Sequence, residues 1–177
     1  MDNIFKNKAY LILELFIAHP NKDFSIRGIA RDLGFSHATV IEYIDDLLGL
    51  ALIRKNNKGL YPTYYANVEN DKYKFYKRNY IIFQINASGF IEFLQNKCLA
   101  SSIVLFGSCA KGTFTERSDI DIFVEAKKTN LSIAKYEKIL SRKINLLFEP
   151  KIRSLSNELM NNILNGYVLN GSINVKK

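Results

Sequence analysis

The chain changes its hydrophobic period part-way along, and the change divides it. Between Ile4 and Ala18 the apolar residues Ile4, Phe5, Leu11, Ile12, Leu15 and Phe16 fall close to the period of a helix packed on one side. His19-Pro20-Asn21 ends that helix. Ser25 is the N-cap expected for a second, with Ile26, Ile29, Ala30 and Leu33 as its buried side and Gly34 as its stop. Ser36 caps a third, whose inner face is Val40, Ile41, Ile44, Leu47 and Leu48, and Gly49 closes it. Leu50 to Arg54 and Tyr61 to Ala66 then read as short strands around the turn Asn56-Asn57-Lys58-Gly59, a hairpin signal.

From Asp71 to Lys97 the helical period returns, rich in aromatics: Tyr73, Phe75, Tyr76, Tyr80, Phe83, Phe90 and Phe93, with Lys72, Lys74, Lys77, Arg78 and Lys97 between them. A break is expected near Ser88-Gly89. Interleaved aromatics and lysines suit single-stranded nucleic acid, but stacking platforms usually sit on sheets. Aromatics at helical spacing usually face a core, so this stretch reads as a connector or a dimer seam. Beyond it the runs shorten. Ile103 to Phe106, Ile120 to Val124, Lys143 to Phe148 and Tyr167 to Leu169 have strand length, with helices over Leu131 to Ser141 and Ile152 to Leu164. The pattern predicts an α+β chain in three segments, 1–68, 69–98 and 99–177, the last a mixed sheet flanked by helices.

Composition narrows the class. The 177 residues allow one or two small domains. Lys6 and Lys8 are followed by an amphipathic stretch rather than a leader's apolar core, and no apolar run is long enough to cross a bilayer. A soluble cytoplasmic protein without a membrane partner is expected. Cys98 and Cys109 suggest neither a disulfide framework nor a metal site, and Cys109 reads as a small residue that fits a turn. The net charge is +8, yet basic and acidic side chains cancel between Met1 and Asn70, so the excess lies further on. A basic second half suits a polyanionic substrate such as a nucleoside triphosphate; ordinary solvated lysines are the alternative.

The candidate chemistry sits in Ser101 to Ala126. Gly107-Ser108 follows an apolar strand, where glycine lets the backbone turn sharply and a phosphate approach it. Amides of the turn, with the Ser108 hydroxyl, are anion donors. Asp119 and Asp121 flank Ile120, so the strand period puts both carboxylates on one face. Two such carboxylates repel unless a cation or basic group lies between them. Facing a phosphate cradle, they suit Mg2+ held between protein and triphosphate.

Gly107-Ser108, ten residues, then Asp119-Ile120-Asp121, with Lys111-Gly112 and Ser118 between, resembles the signature of the DNA polymerase β-like nucleotidyltransferase superfamily. The compact form looks most like its minimal prokaryotic members. The resemblance implies transfer of NMP from an NTP, with ATP expected, to a hydroxyl of a protein or RNA. It makes Asp119 and Asp121 the Mg2+ ligands, and Gly107 and Ser108 the binders of the β- and γ-phosphates. Ser118 joins the nucleotide site, and Lys111 either neutralises phosphate charge or faces solvent. The superfamily's third carboxylate falls at Asn145, whose amide oxygen can ligate Mg2+ but cannot act as a base. Glu149, four residues on, is either its substitute or an end-of-strand surface residue. Related minimal transferases often act as antitoxins that adenylylate a HEPN-type toxin, which implies such a partner.

Ser25-Ile26-Arg27-Gly28-Ile29-Ala30, through Gly34, to Ser36-His37-Ala38-Thr39-Val40 resembles a winged helix-turn-helix domain. That resemblance puts Ser36, His37 and Thr39 at DNA base edges or phosphates, and Arg27, Arg31, Arg54, Lys55 and Lys58 at phosphates. A homodimer is expected from the habit of such domains. Glu42, Asp45 and Asp46 on the third helix leave the segment neutral, so a protein-interaction module is the alternative. For the whole chain the alternative to an enzyme is a non-catalytic, nucleotide-sensing transcription regulator, which Asn145 favours and the intact aspartate pair disfavours. A third is a structural adaptor.

Overall fold

A computed structural model describes residues 7–174. Two of the expected helical positions, Ile4 and Phe5, lie outside the described residues. The chain forms two compact units, Met1–Lys74 and Phe75–Lys177.

In the first unit, α1 (Lys8–Ala18) buries Ile12, Leu13, Phe16 and Ile17. Ser25 and Ser36 cap α2 (Ile26–Leu33) and α3 (His37–Gly49), accepting from the amides of Gly28 and Thr39. Each satisfies a donor that the helix itself cannot, typically worth about 1 kcal/mol. One expectation needs correction. Ile41 is 48% exposed, because the buried stripe of α3 runs through Val40, Ile44 and Leu47 and leaves the adjacent position outside. Gly49 is the last residue of α3, as expected, and the left-handed residue comes two positions later at Ala51, with φ 57°. That later exit delays the first strand. β1 (Ile53–Asn56) and β2 (Thr63–Ala66) pair antiparallel, Ile53 opposite Ala66 and Asn56 opposite Thr63. Phe24 adds an isolated bridge to Tyr64. At the start of α4 (Asp71–Ala87), the buried Tyr73 hydroxyl donates to the Phe16 carbonyl at 2.8 Å and ties that turn to α1.

The second unit takes most of α4, then α5 (Phe90–Cys98) after a left-handed break at Gly89. Its sheet contains β3 (Ser102–Phe106), β4 (Ile120–Val124), β5 (Ile144–Phe148) and β6 (Tyr167–Gly171), in spatial order β5-β4-β3-β6. β3 runs antiparallel to both β4 and β6, whereas β5 is parallel to β4. The parallel pair needs a crossover, which α7 (Ala134–Leu140) supplies. Ile103, Leu105, Ile120, Ile122 and Val124 are fully buried on one face. On the other, Val104 and Phe123 pack with Ile152 and Ile163.

The expected last helix is two pieces, a 3-10 turn Ile152–Ser154 and α8 (Asn157–Leu164). Leu155 is extended and Ser156 starts a new helix by accepting from the Leu159 amide. α7 also begins three residues later than its apolar pattern suggests, at Ala134. Ile120 to Val124 contains one polar position, Asp121, and the sheet register carries that side chain to the end where β3 stops and β5 starts.

Candidate active site

Strand register assembles the site. Asp121 lies opposite Phe106 of β3 on one side and Asn145 of β5 on the other. Gly107, the residue after Phe106, is left-handed with φ 70°. It opens α6 (Gly107–Lys111), a single turn that ends at Gly112. A Cβ built on Gly107 would stand 2.6 Å from Asp121 Oδ2, closer than real Cβ contacts come. Glycine is therefore favoured by its φ, and any side chain there would also displace the Asp121 carboxylate.

The two carboxylates are brought together as the strand period predicts. Asn145 Nδ2 donates to Asp121 Oδ1 at 3.0 Å and to Asp119 Oδ2 at 3.3 Å. Only the NH2 end of an amide can make both bonds, since an oxygen there would face two anions. Asn145 is thus a neutral bridge where two negative groups converge. Glu149 is not beside them. It follows the end of β5, and its amide donates to the Val124 carbonyl. Four residues along a strand is about 13 Å.

Around this pair, Ser108 is half-buried in the turn and Lys111 is exposed at the end of α6. The Ser118 hydroxyl accepts from the Thr115 amide at 2.8 Å, so it shapes the loop just before Asp119. Cys109 is fully buried, and burial, the largest cause, pushes its thiol up to about 11. It remains a neutral thiol at pH 7 and donates to the Asp119 carbonyl, as fits a packed residue rather than a nucleophile.

Sequence reasoning missed three residues next to the site. Arg142 reaches the loop ahead of Asp119. Phe114 is buried, and the cations of Arg142 and Lys77 stand 4.8 and 4.6 Å from its ring centroid. Lys77 is only 2% exposed, and burial first, then Arg142, lower its pKa to about 8. Along the sequence, Lys77 is one of several lysines on an aromatic helix, and nothing local marks it as buried.

The donor set can be tested against a cation. Asp119, Asp121 and an Asn145 amide turned over would offer oxygen donors only, as a hard cation requires. Among the described residues no group of three or more His, Cys, Asp or Glu could hold a metal. Two carboxylates with phosphate oxygens and water fit Mg2+, which commonly takes one or two protein carboxylates.

The DNA-contact candidates lie in the first unit. Ser36 is occupied as a cap and also donates to Thr39 Oγ1 at 2.9 Å. His37 is exposed, and the Arg27 guanidinium lies 5.5 Å from the Tyr61 ring centroid. Arg54 and Lys55 are exposed on β1 and Lys58 on the turn that follows. Arg31 pairs with Asp32 at 3.2 Å.

The family model described as "Nucleotidyltransferase domain" matches residues 87–170. A relative in Methanocaldococcus jannaschii, named "Putative protein adenylyltransferase", is 41% identical over 71 residues, covering 36% of this chain and 71% of that protein. The chain belongs to the nucleotidyltransferase family. A chain of the solved structure "Crystal structure of the toxin-antitoxin with AMP-PNP" is 31% identical, with 47% of this chain and 71% of that chain covered and a TM-score of 0.38. In this nucleotidyltransferase the family match spans the whole Gly107–Asp121–Asn145 arrangement. No helix among the described residues is long and apolar enough to cross a membrane.

Proposed function

We propose that this nucleotidyltransferase moves NMP from an NTP, with ATP favoured, to a hydroxyl of a protein. The observation that carries this reading is the closeness of the Gly107 turn to Asp121, with Asp119 on the same face. The protein acceptor is supported by the name of the 41% identical relative. Asp119 and Asp121 hold Mg2+, and Asn145 turns its amide to give an oxygen or withdraws. Bound Mg2+ supplies charge neutralisation of the triphosphate and polarises the phosphorus under attack. Gly107 leaves room for phosphate oxygens, and Ser108 donates to them. The acceptor oxygen bonds to the α-phosphorus as the bond to pyrophosphate breaks. Asn145 cannot take the hydroxyl proton, so that proton passes to solvent or to a group on the acceptor.

We propose further that the first unit is a winged helix-turn-helix that contacts DNA. Supporting this are its three helices followed by a hairpin, and the exposed Arg54, Lys55 and Lys58 on that hairpin.

The test is incubation with Mg2+ and each α-labelled NTP in turn, with lysate as acceptor, beside the Asp119→Ala/Asp121→Ala variant. Label on a protein band that vanishes in the variant is expected. Wild-type protein that labels nothing with any NTP would sink the reading.

A further inference from the structure

The two aspartates are not held in the same way. Asp121 sits within the ladder, paired on both sides. Asp119 stands one residue before β4 and arrives on the loop from Thr113 to Ser118. Arg142, two residues before β5, reaches that loop with a single nitrogen. Its Nη1 donates to the carbonyls of Thr115 at 2.7 Å and Ser118 at 2.9 Å, with Glu116 further off at 3.4 Å. The Ser118 carbonyl belongs to the peptide that bears the Asp119 nitrogen. Beyond Asp119, Cys109 donates to its carbonyl, and the Ile120 amide donates to the Lys143 carbonyl at 2.9 Å.

The geometry points to Arg142 as the positioning residue for Asp119, with the Phe114 ring as its seat. This rests on Asp119 being a ligand of the cation and nucleotide, as proposed above. A guanidinium suits the task because its N–H groups lie in one rigid plane and it keeps its charge, whereas an ammonium is a point charge on a flexible stem. Converging carbonyls that lose their shared donor repel one another and draw in water. The loop then opens and Asp119 leaves the face it shares with Asp121. Phe114 fixes the direction of approach, since the guanidinium lies over the buried ring. Lys77, which is buried, stands over the same ring as the half-buried Arg142. The two like charges repel, and the loop carbonyls give the Arg142 guanidinium acceptors that offset this.

The test compares wild type with Arg142→Ala, Arg142→Lys and Phe114→Leu. Hydrogen exchange of the cation-free proteins reads the loop directly. Arg142→Ala should speed exchange between Thr113 and Asp119 by about tenfold or more and leave the β3 and β4 amides unchanged. Binding of ATP with Mg2+, followed by calorimetry, should weaken about tenfold, with Arg142→Lys and Phe114→Leu between it and wild type. Millimolar guanidinium, far below denaturing levels, should restore binding to Arg142→Ala and not to Asp119→Ala. Unchanged loop exchange would overturn the clamp. Faster exchange with wild-type binding would overturn its positioning role. Wild type that binds no ATP with Mg2+ would instead remove the ligand reading of Asp119, while the exchange data still judge the clamp.

Discussion

Gly107 and Asp121 stand so close that a single methyl group cannot be placed between them: the Cβ position on Gly107 lies 2.6 Å from Asp121 Oδ2. The φ of 70° adds a second barrier to any side chain, typically about 1–2 kcal/mol. Gly107→Ala should therefore push the Asp121 carboxylate off the shared face while the sheet survives. The expected result is loss of transfer by about 100-fold or more, with the melting temperature lowered by only a few degrees. Near-normal transfer by this variant would show that the closeness has no part in the chemistry.

Asn145 bridges two acids without adding charge. Asn145→Asp replaces that donor by a third carboxylate, and like charges in one site repel until a cation enters. The variant should melt below wild type without Mg2+, recover when Mg2+ is added, and bind Mg2+ more tightly in calorimetry. A melting temperature indifferent to Mg2+ in both proteins would count against a cation between these residues.

The buried Lys77 has its pKa lowered from 10.5 to about 8, by burial first and Arg142 second. Between those two values the unfolded chain binds more protons at this position than the folded one, so this group makes stability rise as pH rises through that window. Below about pH 8 the charged lysine costs stability in full. Lys77→Met should then melt at or above the wild-type temperature at pH 7, and the wild-type gain between pH 8 and 10 should shrink. The check is a pair of melting curves against pH; a parallel rise in both proteins would reject it.

Lys55 and Lys58 lie on or beside the hairpin with their side chains exposed. If they neutralise phosphates, Lys55→Ser/Lys58→Ser should flatten the dependence of log affinity on log salt by about 2. Fluorescence anisotropy with duplex DNA at several salt concentrations measures that slope. An unchanged slope would take the hairpin out of any DNA contact.

Local rules made much of this molecule legible before its fold was known. Ser25, Ser36 and the Asp-x-Asp pair were readable because capping and the strand period act over a few residues. The place of Asn145 came from the superfamily resemblance rather than from a local rule, and the register sets Asn145 opposite Asp121. What stayed hidden depends on contacts across the chain. Arg142 meets the Thr115 carbonyl 27 residues away, and its neighbours in sequence give no hint of it. Lys77 looks like a solvated lysine until α4 takes its place in the second unit. The extended Leu155 that splits the expected last helix was masked by apolar residues on either side.

The sheet order has a consequence for the moment at which this enzyme comes into being. β3, which ends at the Gly107 turn, is flanked by β6, the last strand in the sequence of that sheet. Domains fold as units during synthesis, N-terminal first. The first unit, through Lys74, has all its strands and helices before β3 is made. The second must wait with an open edge on its central strand until Tyr167–Gly171 leaves the ribosome. A nascent chain therefore displays its hairpin-bearing head well before it can gather Gly107, Asp119 and Asp121 into a working site. Catalysis therefore waits on the strand of that sheet made last.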